Sequence, residues 1–437
     1  MKKDIIIAGA GISGLTLAHL LKKKKIDSVV FEKESESGGI CNTVKSGKYL
    51  FDYTGHLLHL KNSKIKKYIL SLLKDNYNLH NRSAWIFIKN CCIPYPFQVH
   101  LYYLPNKIKR ECLNGYLEAY YNQKNSPKKD AKNFASWAIA NFGEGIAKHF
   151  LYPYNNKLWT TNVKGLNTTW LGNYVPLPDI ENVLTGTFTN SIVKMGYNSS
   201  FYYPKKGGIK TLIDAQAKKV QNNIKLNDKI LKIDYKNKIV YTASGEYKYK
   251  FLASSLPLQE LIETILKKPP VKILTASKKL KSNRVLNINL GVRRKISNKH
   301  WVYFPENKYV FYRIGFGSNF SSNMAPRGCS TIYTEIAVDH DLSKKEMESY
   351  QKRVIKDLKK IKIIKPDDKI DTIVPLFIKP AYVIYDKNRD LCVSEIVKFL
   401  QKNDIYLIGR YGKWEYSAME DAISSAYEIA GVFKKLL

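Results

Sequence analysis

The chain of 437 residues reads as an α/β protein whose parallel, doubly wound unit is interrupted by a mixed α+β insertion. Three observations predict this. An apolar run near the N-terminus passes directly into a glycine-rich turn and an amphipathic segment; a second apolar run ends in an acid; a third, close to the C-terminus, ends in a glycine. Buried strands alternating with helices in this way are the mark of a parallel sheet covered by helices.

Residues 4–8, DIIIA, form the first strand, and Gly9, Gly11 and Gly14 open the helix that follows. In a Rossmann unit these positions serve the tight turn, the close approach of a pyrophosphate and the packing of helix on strand. Ser13 lies in the first helical turn, where unpaired N–H groups and the helix dipole favour phosphate charge. Residues 28–31 form the next strand, and Glu32 at its end is placed to accept hydrogen bonds from an adenosine ribose and to disfavour a 2'-phosphate. Gly38 and Gly39 offer a second close approach of backbone to the cofactor.

Further along, helices are expected at residues 63–73, 108–121 and 134–149, with an irregular stretch over 152–178. The polar segment 123–132, which contains Pro127, reads as a surface loop. Period-two alternation over 230–249 predicts a strand, a turn at Asn237 and a second strand. Residues 284–291 and 301–312 are expected to be strands of the insertion, and 405–408 a final buried strand. Gly409 and Arg410, expected to contact the cofactor, follow it, then a helix over 417–430 that points its N-terminus and the cofactor-contacting Met419 at the same group. A C-terminus that returns to the cofactor of the first strand favours FAD, held noncovalently, over a nicotinamide cofactor alone. The expected division is a discontinuous Rossmann-type FAD-binding domain, residues 1–55, 200–260 and 385–437, with a mixed α+β substrate domain at 56–199 and 261–384.

The charge is the compositional oddity: 72 Lys and Arg against 37 Asp and Glu give +35 at pH 7. Such a field draws anionic small molecules and favours peripheral contact with an anionic membrane. No helix-turn-helix, zinc finger or compact basic and aromatic module accompanies it, so specific nucleic-acid binding is not expected. No run of eighteen apolar residues and no signal-peptide pattern is present, and the expected location is cytoplasmic. The six cysteines are scattered apart from Cys91 and Cys92, match no zinc or iron–sulfur spacing, and lead to no metal site being expected.

Six segments in order resemble the FAD-containing superfamily of amine oxidases, protoporphyrinogen oxidases and UDP-galactopyranose mutases, most closely the mutases. They are YTGHLLH at 53–59, IPYPFQ at 93–98, WTTNVKGLNTTWLG at 159–172, YYPKKGG at 202–208, WVYFPENKYVFYRIGFGSNFS at 301–321 and GRYGKWEYSAMEDA at 409–422. The amine-oxidase branch usually carries arginine directly after its second paired glycines, where this chain has Ile40. The resemblance implies a nucleotide-sugar mutase of the polysaccharide-biosynthesis type, exchanging pyranose and furanose rings of a UDP-sugar. In that chemistry N5 of reduced FAD attacks the anomeric carbon while the diphosphate leaves, and an external reductant prepares the flavin. An FAD-dependent oxidase or dehydrogenase of an amine, porphyrinogen or related small substrate is the alternative; a noncatalytic FAD-containing assembly protein is a third.

By the same resemblance His56 sits beside the flavin and positions or tunes it, with a plain loop hydrogen bond as the structural alternative. Arg313 matches a substrate-binding arginine whose fork suits diphosphate oxygens, with a structural salt bridge as its alternative. Tyr303, Tyr382 and Tyr416 resemble the phenols around the diphosphate or sugar, and Tyr95 and Gln98 suit a nucleotide base. Tyr174 stands where the mutase pattern carries an arginine, which removes one fixed charge from the expected phosphate site.

Overall fold

The computed structural model describes residues 2–125, 131–172, 174–193, 195–196 and 199–437. Its first sheet has the strand order 230–234, 239–242, 245–254, 2–8, 28–31, 224–225, with Ile405–Leu407 pairing Gly245–Ser254 on the side. Lys2–Ala8 is parallel to both neighbours, Ile5 lying beside Phe251 and Ser28. Both of its faces are covered, so Ile5, Ile6 and Ile7 are fully buried and the strand shows no alternation. On one face lie helices Ile12–Lys23, Ser63–Leu73, Lys210–Val220 and Met419–Leu436, which share a core of Leu15, Ile69, Leu212 and Ala426. Ser63–Leu73, on the insertion side of the expected boundaries, thus packs with the first sheet.

The second sheet has the order 370–378, 284–292, 330–338, 313–315, 301–303, 84–88, 91–94 and is antiparallel except where Trp301–Tyr303 runs beside Ala84–Ile88. A helical layer, Asn106–Asn125, Phe134–Ile146 and Tyr152–Trp159, shares a core of Phe97, Phe142, Phe150 and Trp159 beside it. Among the described residues no helix is long and apolar enough to cross a membrane.

Several expectations need correction. Tyr152–Trp159 is helical, continuing a π-helical turn at Ala147–Leu151. Pro153 stands at the junction of these two helical stretches. Gln123 to Asn125 end a helix; residues 126–130, with Pro127, lie outside the described residues. The alternating segment becomes a three-stranded meander, Ile230–Asp234, Ile239–Thr242 and Gly245–Ser254, with a second tight connection at Ala243 and Ser244. Of the strand expected over 301–312 only Trp301–Tyr303 forms, and it pairs antiparallel with Arg313–Gly315, just beyond that range. The loop between them is tied down by Lys157, whose ammonium donates to the carbonyls of Phe304, Glu306 and Phe311 at 3.1, 3.1 and 2.6 Å. The last helix begins at Met419, because the Asp421 carboxylate accepts the Ala418 N–H at 2.7 Å and caps it there.

Asp52 links the layers. Its carboxylate accepts the hydroxyls of Thr43 and Tyr203, both at 2.6 Å, and its backbone carbonyl accepts the Asn287 amide of the second sheet at 3.2 Å. Nearby, His300 is 7% exposed and accepts the Ser83 N–H on Nδ1 at 3.0 Å. Burial, then the neighbouring His80, lowers its pKa to about 4. Because that lies below the value of about 6.5 in an unfolded chain, its contribution is full above pH 6.5 and is lost as pH falls towards 4. The loss amounts to about 3 kcal/mol at its limit. Urea unfolding at pH 7 and pH 4.5 should show a shallower drop for His300→Asn, which keeps an acceptor but does not titrate. An unchanged drop would refute this.

Candidate functional site

A cavity of about 810 Å³ extends from the carboxyl ends of the first sheet's strands to the face of the second sheet. Gly9, Gly11, Ser13, Glu32, Gly38 and Gly39 line one end. Gly11 is the N-cap of helix Ile12–Lys23 and no side chain caps that end, so the N-terminal turn is left to the cavity it lines. Glu32 accepts the Ala10 N–H at 2.8 Å and the Glu34 N–H at 3.1 Å, which fixes its carboxylate at the rim. Gly14 does not line the cavity. A Cβ there would stand 2.0 Å from the Gly9 carbonyl oxygen, so this glycine seats the helix on its strand.

Gly409 brings the C-terminal segment to the same place. Its φ is +70° and a Cβ on it would lie 2.4 Å from Ser13 Oγ. Arg410, Tyr416, Ser417 and Met419 follow along the cavity wall. By contrast Gly207 and Gly208, in the segment that resembles a phosphate-side loop, do not line it. A Cβ on Gly208 would meet Thr43 Oγ1 at 2.4 Å, so they turn the chain into helix Lys210–Val220.

The other end holds His56, Tyr95, Gln98, Tyr303, Arg313, Tyr382 and Tyr416. His56 is buried, its Nδ1 has no hydrogen-bond partner, and burial followed by the charges of Arg410 and Arg313 lowers its pKa to about 4. It is therefore neutral at pH 7. Tyr303 stands directly opposite Arg313 across paired strands, and its ring lies 5.3 Å from those of Tyr95 and Tyr154. The Gln98 amide nitrogen donates to the Pro176 carbonyl at 2.8 Å, which ties it to a second loop while the side chain still lines the cavity. Tyr174 on that loop reaches Asp421 at 3.1 Å and packs its ring 4.6 Å from Tyr416.

The two arginines differ. Arg313 gives Nε and Nη2 to the buried Glu335 at 2.9 and 2.6 Å, so the salt bridge weighed as its alternative is present, although the side chain still lines the cavity. Arg410 gives Nη1 to the Ser417 carbonyl at 2.7 Å and Nη2 to the Ala381 carbonyl at 3.2 Å, while its buried Nε has no partner. Its guanidinium lies 5.1 Å from the ring centre of Tyr382 and 5.3 Å from that of Tyr416. Lys33 and Lys379 on the cavity wall pair with Glu34 and Asp341. Among the described residues lining the cavity, Arg410 alone is a cation without a carboxylate within salt-bridge distance. Ser417 Oγ and Trp170 Nε1, also on the wall, are likewise buried and unpartnered.

Glu335, Tyr154, Trp170 and Ser417 are the residues that sequence reasoning missed. Glu335 carried a signal, being an acid in the middle of the apolar run STIYTEIAV. The glycine cradle, the fixed Glu32 and the unpartnered polar atoms at the other end fit FAD. Among the described residues no group of three or more His, Cys, Asp or Glu could hold a metal ion.

Comparison with known proteins agrees with this geometry. The sequence pattern of flavin containing amine oxidoreductases matches residues 12–432. The UDP-galactopyranose mutase of Mycoplasma pneumoniae is 22% identical over 209 residues, 44% of this chain and 52% of the mutase, so the chain spans about half the length of that relative. An L-amino-acid oxidase of Bothrops pauloensis is 20% identical over 401 residues, 80% of this chain and 75% of the oxidase. A crystal structure of reduced UDP-galactopyranose mutase superposes with a TM-score of 0.91 at 22% identity, covering 100% of this chain and 96% of that one.

Proposed function

The chain belongs to the family of flavin containing amine oxidoreductases, and from that premise we propose that it is a flavin-dependent mutase of a nucleotide sugar, exchanging the pyranose and furanose rings of a UDP-sugar. The observation that carries the proposal is Arg410: a buried guanidinium without a carboxylate, among phenols and unpartnered donors, makes this end of the cavity a site for an anion. A simple amine is a cation that the same charge repels, whereas amino acids and porphyrinogens carry carboxylates that it attracts, and product chemistry separates these from a nucleotide sugar. Bound and reduced, FAD supplies the nucleophile for such a reaction and ends each turnover unchanged in redox state.

The residues then divide the work. Gly11 and the first helical turn accept the cofactor pyrophosphate, Glu32 takes the ribose, and Gly38, Gly39, Gly409 and Met419 allow close approach along its length. Arg410, expected from the sequence to contact the cofactor, takes instead in this reading, with Tyr382 and Tyr416, the diphosphate as it departs, where added charge stabilises the transition state. Arg313 offers the edge of its fork that Glu335 leaves open. Neutral His56 presents an unpartnered nitrogen to the cofactor region without adding charge. Tyr95, Tyr303 and Tyr154 wall off water and hold the sugar and base in register. Partners of this reading are a UDP-sugar and an external reductant of the flavin.

The test is product chemistry. The flavin-loaded protein, reduced with dithionite, is given UDP-galactopyranose and a panel of other nucleotide sugars, and ring forms are resolved by chromatography and NMR. Ring exchange by the reduced but not the oxidised protein is the expected result. No exchange across the panel, together with stoichiometric flavin reduction by an amino acid, amine or porphyrinogen, would overturn it in favour of the oxidoreductase reading.

A further inference from the structure

We infer that Glu335 is a positioning residue that sets the charge of the anion site, an inference that rests on the anionic-ligand reading of the cavity. Glu335 and Arg313 face each other across the paired strands Arg313–Gly315 and Ser330–Val338. The carboxylate is fully buried, whereas the arginine side chain is 21% exposed and lines the cavity. Two nitrogens on one side of the guanidinium, Nε and Nη2, are taken at 2.9 and 2.6 Å. That grip fixes the plane of the fork, leaves Nη1 as the donor for a ligand, and cancels the positive charge. A buried ion pair is a poor source of stability compared with apolar packing. Its place here, at the cavity wall opposite Tyr303, is accounted for by what it does to Arg313.

The consequence is selectivity. With Arg313 neutralised, Arg410 is left as the uncompensated cation, enough for a nucleoside diphosphate held also by phenols and aromatic walls. Small, highly charged anions with no base or sugar to contact those walls gain less from one cation than from two. Glu335 therefore suppresses their binding while aiming one donor at the larger ligand.

The test uses flavin-loaded wild type, Glu335→Gln and Glu335→Asp, with calorimetric titration of UDP and of inorganic pyrophosphate at several sodium chloride concentrations. Glu335→Gln is expected to bind pyrophosphate about tenfold more tightly at low salt, with a steeper dependence on salt, and to lose most of its preference for UDP. Glu335→Asp keeps the charge but draws the fork back by one methylene, so UDP binding weakens about tenfold with an unchanged salt dependence. A Glu335→Gln protein with wild-type affinities and salt dependence and only a lowered melting temperature would overturn the inference. If that variant fails to fold, unchanged UDP affinity in Glu335→Asp overturns it instead. Wild type that binds pyrophosphate but not UDP would refute the nucleotide reading, while the pyrophosphate arm still decides the role of Glu335.

Discussion

Replacing Arg410 with methionine should weaken UDP binding by about thirtyfold or more while the protein keeps its flavin. The effect is electrostatic. A guanidinium that is buried and uncompensated meets an anion without first breaking an ion pair, and its Nε has no competing acceptor within the protein. Truncating one partner of a desolvated, hydrogen-bonded charge pair costs about 2–5 kcal/mol, and each ~1.4 kcal/mol is a factor of ten in affinity. Methionine keeps an apolar stem between Tyr382 and Tyr416, so the aromatic wall stays packed. The carbonyls of Ser417 and Ala381 lose a donor, and a fall in stability of about 1–3 kcal/mol accompanies the change. Calorimetry with UDP, flavin content after gel filtration and a melting curve separate these effects. Unchanged UDP affinity with full flavin content would remove Arg410 from the anion site and take the main support from the mutase reading.

Arg410 also illustrates what a sequence discloses and what it withholds. Its neighbourhood was legible, because Gly409 must sit at positive φ with backbone against the N-terminal helix, a demand that only glycine meets comfortably. Gly9, Gly11 and Glu32 were legible for the same reason: a close approach to phosphate and ribose dictates residue type over a short stretch of chain. Charge compensation was not, because it depends on register between distant strands. Nothing near Arg313 in the sequence indicates that Glu335 lies directly opposite it, nor that Arg410 lacks such a partner. The tie between Gln98 and Pro176 is hidden likewise, since that carbonyl comes from a separate loop. Trp301–Tyr303 was overextended because its partners, Ala84–Ile88 and Arg313–Gly315, are set by tertiary pairing and not by local alternation. The sequence thus named residues at both ends of the cavity, while the charge pairing among them emerged only from packing.

The cofactor end yields the larger effect on the fold. Gly14→Ala, which in a solvent-exposed helix would be stabilising, is expected here to abolish flavin retention and to lower the melting temperature by about five degrees. The added carbon would lie 2.0 Å from the Gly9 carbonyl oxygen and 3.2 Å from its carbon, both backbone atoms that cannot rotate away. Relief requires helix Ile12–Lys23 to lift from strand Lys2–Ala8, which opens the fully buried contacts of Leu15, Leu17 and Ala18 and moves the helix N-terminus away from the cofactor pyrophosphate. Overpacking of this kind costs about 1–3 kcal/mol or more, and loss of a bound cofactor removes its share of the stability as well. Gly11→Ala is the control, since a Cβ there has only the Gly38 carbonyl oxygen nearby, at 3.9 Å. It should weaken flavin binding through the cradle while leaving the apoprotein's melting temperature close to that of wild-type apoprotein. If Gly14→Ala retained flavin and melted like wild type, the close seating of helix on strand would not be what fixes the cofactor's phosphate end.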